Sequence, residues 1–235
     1  MVEITIDGKK VQAREGESVL EVSRRLKKDI PSLCYHEEVS PFGACRLCMV
    51  EVKEGGKWQL VTSCQQVVEK GMEVRTDSDA IREGRRLAAE LLYYKYPNVP
   101  AVREIAQKLG VAVKDEAIEA NECILCGLCV RACREVVGAE ALTFMDRGLG
   151  RENAEPEIGF NPDKCIGCGS CAYICPTGFV QMEAVDGKRI IWDKVFHMAK
   201  CKICNRYFAP IEQLEFISRK TGVPVERLMV CTSCR

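Results

Sequence analysis

Sixteen of the 235 residues are cysteine, and all sixteen fall into sets of four with ligand-like intervals. Cys123, Cys126, Cys129 and Cys133 are spaced C-x2-C-x2-C-x3-C, and Cys165, Cys168, Cys171 and Cys175 repeat that spacing with Pro176 directly after. Cys34, Cys45, Cys48 and Cys64 are spaced C-x10-C-x2-C-x15-C, and Cys201, Cys204, Cys231 and Cys234 are spaced C-x2-C-x26-C-x2-C. A disulfide framework suits small secreted domains. Here the first residues, MVEITIDGKK, carry charge at position 3 and no apolar leader, and the clustering points to metal instead. Thiolates are soft ligands, and sets of four suit iron–sulfur clusters or tetrahedral zinc.

The double run is the bacterial ferredoxin run, which implies two [4Fe–4S] clusters and sends the fourth cysteine of each run to the other cluster. Cluster one is then expected on Cys123, Cys126, Cys129 and Cys175, and cluster two on Cys165, Cys168, Cys171 and Cys133. A single zinc ion would need only half of these ligands. Gly127, Gly167 and Gly169 are expected to let backbone N–H groups approach the sulfides and tune potential. Arg134 stands where the first run could have carried proline, a change to the turn that leaves the ligands alone. The tail set, two knuckles around a helix, suits a structural zinc ribbon, although the gap is longer than usual for one. A third [4Fe–4S] cluster is the alternative there. Zinc would fold a 40-residue tail too small for a core of its own.

The set at 34–64 departs from the plant-type [2Fe–2S] spacing, which has four residues in its first gap. It resembles the [2Fe–2S] domain at the start of the large iron–sulfur subunit of respiratory complex I. The match is carried by Pro31-Ser-Leu-Cys34-Tyr-His, Gly43-Ala-Cys45-Arg-Leu-Cys48 and Thr62-Ser-Cys64. A structural zinc site is the competing reading of this set. Glu73-Val-Arg-Thr-Asp-Ser78 and Cys129-Val-Arg-Ala-Cys133 extend the likeness over nearly the whole chain. The order of domains is similar to the diaphorase iron–sulfur subunit of NAD-linked nickel–iron hydrogenases. It also resembles the N-terminal half of electron-bifurcating iron-only hydrogenases and subunits of NAD-linked formate dehydrogenases. That family usually adds a His-x3-Cys-x2-Cys-x5-Cys cluster after a connector helix. The aligned positions here are Tyr96, Pro100, Arg103 and Leu109, none of which ligates iron in the usual way.

An α+β protein of four parts is expected to position these sets. Residues 1–78 read as a β-grasp [2Fe–2S] domain. Val2, Ile4 and Ile6 alternate, Asp7-Gly8 marks a turn, and Lys10 to Arg14 return. Ser18-Val-Leu-Glu21 is a capping box that opens a helix to about Lys28. Residues 79–117 read as a helical connector. One helix runs from Asp77 to Tyr96 with Ile81, Leu87, Leu91 and Leu92 on a face, and another from Val102 to Leu109 ends at Gly110. Residues 118–192 hold the ferredoxin pair, with Arg147 to Pro162 as a loop, and 193–235 form the zinc-binding tail around a helix from Ile211 to Lys220.

Lys+Arg and Asp+Glu balance at 34 each, so the chain lacks the basic face of a nucleic-acid binder, and a zinc-ribbon binding module is the distant alternative. No stretch is apolar enough to span a membrane, and a cytoplasmic location is expected. No phosphate-binding glycine loop is present, nor a ligand set for flavin, nickel or molybdenum. His36, His197, Tyr93, Tyr94 and Trp192 are read as surface or packing residues. With three clusters and no substrate site, the expected role is a non-catalytic relay of single electrons. The resemblance implies a flavin-bearing NAD(P)H dehydrogenase subunit on one side. On the other it implies a hydrogenase or formate dehydrogenase catalytic subunit, or a soluble ferredoxin.

Overall fold

The alternating Val2, Ile4 and Ile6 form strand β1 (Val2–Ile6), whose inward Ile4 and Ile6 are almost fully buried. Strand β2 (Lys9–Ala13) pairs back antiparallel from Val2↔Ala13 to Ile6↔Lys9. Asp7 and Gly8 between them both have positive φ, as a two-residue hairpin turn matching strand twist requires. The computed structural model describes residues 1–114, 120–146 and 156–235, in two units, Met1–Gly127 and Leu128–Arg235.

In the first unit the capping box is complete. Ser18 Oγ accepts from Glu21 N at 3.2 Å, and the Glu21 carboxylate accepts from Ser18 N at 2.6 Å. Helix α1 (Val19–Arg25) ends at Leu26, short of Lys28, because Lys27 turns to a φ of 59°. A second hairpin follows, β3 (Met49–Glu54) with β4 (Lys57–Thr62), and then β5 (Glu73–Arg75). β5 runs parallel to β1 and antiparallel to β3, giving the order β2-β1-β5-β3-β4. Ile4, Ile6, Leu20, Val22, Val50 and Val74 close a core that also takes in Cys48 and Cys64.

Helix α2 (Asp79–Lys95) is capped by Ser78, and α3 (Pro100–Lys108) starts on a proline whose missing N–H costs nothing there. The buried face of α2 is Ile81, Arg85, Ala88 and Ala89. Leu87 and Leu91, expected beside Ile81, are exposed along an open groove bordered by Met49 and Leu60. Arg85 replaces them inward: its guanidinium donates to Met49 O at 2.7 Å and to Thr76 O at 3.3 Å, tying the helix to the sheet.

The second unit opens with α4 (Leu128–Arg131), which continues as a π-helical segment, Ala132–Val137, ended by Gly138 in the left-handed region. Strand β6 (Leu142–Met145) pairs with β7 (Glu157–Phe160). The loop expected over 147–162 is therefore too long: 147–155 lie outside the described residues, and 157–160 are strand because Ile158 and Phe160 pack into the core. Helix α5 (Ser170–Tyr173) follows. Strands β8 (Met182–Val185), β9 (Lys188–Ile191), β10 (Lys194–Lys200) and β11 (Tyr207–Pro210) form one sheet in the order β11-β10-β9-β8. Helices α6 (Ile211–Thr221) and α7 (Val225–Leu228) complete the chain. The tail is thus woven into this sheet through β10, and it has a small core after all, of Ala199, Ala209, Leu214 and Leu228. Among the described residues no helix is long and apolar enough to cross a membrane.

Candidate metal centres

Cys34, Cys45, Cys48 and Cys64 are all buried in the first unit, on the loop after α1, the approach to β3 and the end of β4. They meet as two pairs. The Cys34 and Cys45 sulfurs lie 3.4 Å apart, and Cys48 and Cys64 are joined by a side-chain hydrogen bond. Backbone donors surround the first pair: Leu33 N reaches Cys45 Sγ at 3.4 Å, and Cys45 N reaches Cys34 Sγ at 3.5 Å. The hydrogen bond with Cys34 and burial raise Cys45, while the hydrogen bond from Cys64 lowers Cys48 to about 6 and raises Cys64 itself. Four thiols packed this closely cannot all ionise unaided, whereas bound metal makes every one a thiolate. Two pairs of thiols suit a two-iron rhomb.

The second unit brings Cys133, Cys165, Cys168 and Cys171 around a small, mainly apolar cavity, walled by Leu142, Phe160, Ile166, Ile191 and Trp192. Burial pushes Cys171 up to about 12 and raises Cys133 and Cys165. Amides are already aimed at these sulfurs, as Ala141 N is at Cys133 Sγ, 3.2 Å away. A cavity lined by four thiols and short of protein acceptors fits a cubane. The glycines of this run have a further reason for being there. A Cβ on Gly167 would meet the Phe196 ring at 2.6 Å, and one on Gly169 would meet Met182 Sδ at 2.5 Å. Both have positive φ, as do Leu125 and Gly127 at the matching positions of the first run. Cys123 and Cys126 end the first unit, and Cys129 and Cys175 lie in the second. Burial raises Cys175, but N–H groups of Val180, Thr177 and Phe179 and the Thr177 hydroxyl outweigh it and leave it lowered.

Cys201, Cys204, Cys231 and Cys234 each offer a sulfur within 4.8 Å of the others. The first knuckle follows β10, closed by Cys201 N donating to Arg206 O and Asn205 N donating to Cys201 O, both at 2.9 Å. The second follows α7 and is joined to the first by Lys202 N donating to Met229 O at 2.9 Å. Amides of Cys204 and Cys231 lower Cys201 to about 6, and hydrogen bonds with Cys231 and Cys204 raise Cys234 to about 12. Two of the four are buried and two half-buried. Such a shallow set of four can hold one metal ion.

The remaining positions are accounted for by packing. His36 is exposed and accepts from Glu38 N, and His197 is exposed on β10, outside the tail set. Tyr93 Oη accepts from Lys114 N at 2.9 Å. Tyr96 caps α2, Pro100 begins α3, and Arg103 donates to Lys114 O. Sequence reasoning missed Ser63, which is fully buried next to a ligand cysteine and donates to Cys48 O at 2.7 Å. It missed Arg189 too, whose guanidinium donates to Gly167 O at 2.8 Å and to Cys168 O at 3.2 Å. Neither carries a spacing signal.

Residues 1–79 match a 2Fe-2S iron-sulfur cluster binding domain, and residues 122–179 match a 4Fe-4S dicluster domain. The NADPH-Fe(3+) oxidoreductase subunit alpha of Geobacter sulfurreducens is 29% identical over 95% of this chain and 28% of its own length. The NADP-reducing hydrogenase subunit HndD of Solidesulfovibrio fructosivorans is 30% identical over 85% of this chain and 38% of its own. This chain therefore spans well under half of either relative. Among solved structures, a chain of the NAD+-reducing [NiFe]-hydrogenase in its H2-reduced state is similar with a TM-score of 0.50 and 27% identity, covering 63% of this chain and 71% of that one. The chain is an iron–sulfur protein with 2Fe-2S and 4Fe-4S dicluster domains, related to the subunits of NAD(P)H-linked oxidoreductases and hydrogenases.

Proposed function

We propose that the chain is a cytoplasmic electron-transfer subunit, relaying single electrons between a flavin NAD(P)H dehydrogenase subunit and a hydrogenase catalytic module or a ferredoxin. An electron-bifurcating nickel–iron hydrogenase is the favoured setting. Cys34, Cys45, Cys48 and Cys64 would hold the [2Fe–2S] cluster in a β-grasp domain. Cys123, Cys126, Cys129 and Cys175 would hold one [4Fe–4S] cluster, and Cys133, Cys165, Cys168 and Cys171 the other. Cys201, Cys204, Cys231 and Cys234 would hold zinc in a ribbon-like tail. When bound, the clusters supply one-electron chemistry whose potentials are set by burial and hydrogen bonds.

The observation that carries this reading is the cavity ringed by Cys133 and the three cysteines of the second run. It joins the last cysteine of the first run to the first three of the second, as the dicluster arrangement requires. Anaerobic purification with metal analysis tests it: about ten iron atoms per chain and one zinc are expected. A colourless chain filled only with zinc would overturn it. An equivalent subunit of an NAD-linked formate dehydrogenase is the second reading. Co-purified partners separate the two, a nickel-binding large subunit against a molybdopterin protein.

A further inference from the structure

Trp192 sits in a conformation that a bulky side chain rarely takes. It and Asp193 form the turn between β9 and β10, with φ of 52° and 58°. Glycine, asparagine or aspartate serve such turns readily, whereas an aromatic residue in the left-handed region is strained. The surroundings hold it there. The indole stacks on Phe160 at 5.8 Å between centroids and meets Phe179 edge-on at 6.0 Å. Its ring forms part of the wall of the cavity lined by Cys133, Cys165, Cys168 and Cys171.

Its Nε1 is buried and has no hydrogen-bond partner among the described residues. A buried N–H without a partner forfeits the hydrogen bond it would make to water, so a native structure rarely keeps one without an acceptor. The cavity is lined by the four cysteines, Gly169, Ser170 and apolar side chains, and the Ser170 hydroxyl is engaged by Cys168 Sγ at 3.5 Å. Cys171, one of the four thiols, shares that cavity wall with the indole. A strained backbone and an orphaned donor thus converge on one point.

We infer that Trp192 is a positioning residue that donates its indole N–H to sulfur of the cluster bound by Cys133, Cys165, Cys168 and Cys171, raising that cluster's potential. The inference rests on the cluster assignment proposed above. A hydrogen bond to thiolate or sulfide stabilises the more negative, reduced state, so the donor favours reduction. Arg189 on the same hairpin, bonded to the carbonyls of Gly167 and Cys168, keeps the turn seated against the ligand loop.

The test is an anaerobic redox titration of the intact, metal-loaded chain followed by electron paramagnetic resonance, comparing Trp192→Phe with the native protein. Phenylalanine keeps the stacked ring and deletes the N–H. One [4Fe–4S] midpoint should move to lower potential while the other [4Fe–4S] and the [2Fe–2S] midpoints stay put. Three unchanged midpoints at full iron content would overturn the role of Trp192 and leave the cluster assignment standing. Absence of [4Fe–4S] signals from the native protein would overturn the assignment itself. Should the variant fail to load, indole-15N tryptophan in a Trp58→Phe background leaves Trp192 as the single labelled site. The reduced cluster on Cys133, Cys165, Cys168 and Cys171 should then show hyperfine coupling to the indole 15N. Its absence would overturn the donor role, and a merely structural tryptophan would give none.

Discussion

The two outermost cysteine sets are both four thiols on loops, yet they are held in opposite ways. Around Cys34, Cys45, Cys48 and Cys64 the chain supplies a five-stranded sheet, a capped helix and a core of fourteen buried residues, two of them ligands. Around Cys201, Cys204, Cys231 and Cys234 four buried residues make the core, and two of the thiols reach the surface. The first site is a scaffold that can exist before its metal. If the second holds zinc as proposed, metal would complete its fold, since structural zinc contributes roughly 10–16 kcal/mol of binding energy that small domains use as folding energy.

Removing the tail metal should therefore give the largest effect. With Cys231→Ala, or under strong chelation, amide exchange and limited proteolysis should open residues 201–235 while β1 to β5 stay protected. Equal protection in both regions would break the contrast. Next, Cys175→Ala should abolish one [4Fe–4S] signal and spare the [2Fe–2S] signal in electron paramagnetic resonance; loss of the [2Fe–2S] signal alone would show the cysteines to be grouped wrongly. In the N-terminal core, Leu20→Ala should cost about 2–5 kcal/mol in denaturant titration, because Leu20 is fully buried and leaves a cavity. Ser18→Ala should cost about 1 kcal/mol, through the lost cap of α1.

The smallest effect concerns pH. Burial raises Asp7, but hydrogen bonds from Lys28 and Thr76 outweigh it and leave its carboxyl lowered. A carboxyl lowered in the folded state stabilises the chain above its ordinary unfolded range, and that contribution is lost as pH falls through the folded value. Asp7 is partly exposed at the hairpin turn, so Asp7→Asn should remove less than about 1 kcal/mol of the acid dependence of unfolding.

Local chemistry was legible from sequence. The Asp7-Gly8 turn and the Ser18–Glu21 capping box each rest on a few adjacent residues, and the structure has both. The cysteine sets were legible because ligand spacing is itself local. Longer-range packing was not. Leu87 and Leu91 fit a helical stripe, but periodicity does not say which stripe faces the sheet, and Arg85 took the inward place by bonding Met49 O. The strand at 157–160 was hidden because its partner, β6, precedes it by a stretch rich in turn residues. Trp192 read as a packing residue, since only its backbone angle and bare Nε1 distinguish it.

Strand β10 has a further consequence. Phe196 on it is fully buried and fills the space left by the missing side chain of Gly167 in the second cysteine run, and Cys201 follows its last residue. Side chains alternate along a strand, so a slip of one residue would turn Phe196 out of its seat and withdraw Cys201 from its three fellow thiols in the same movement. Two cysteine sets therefore share one ruler, and neither can be misplaced alone.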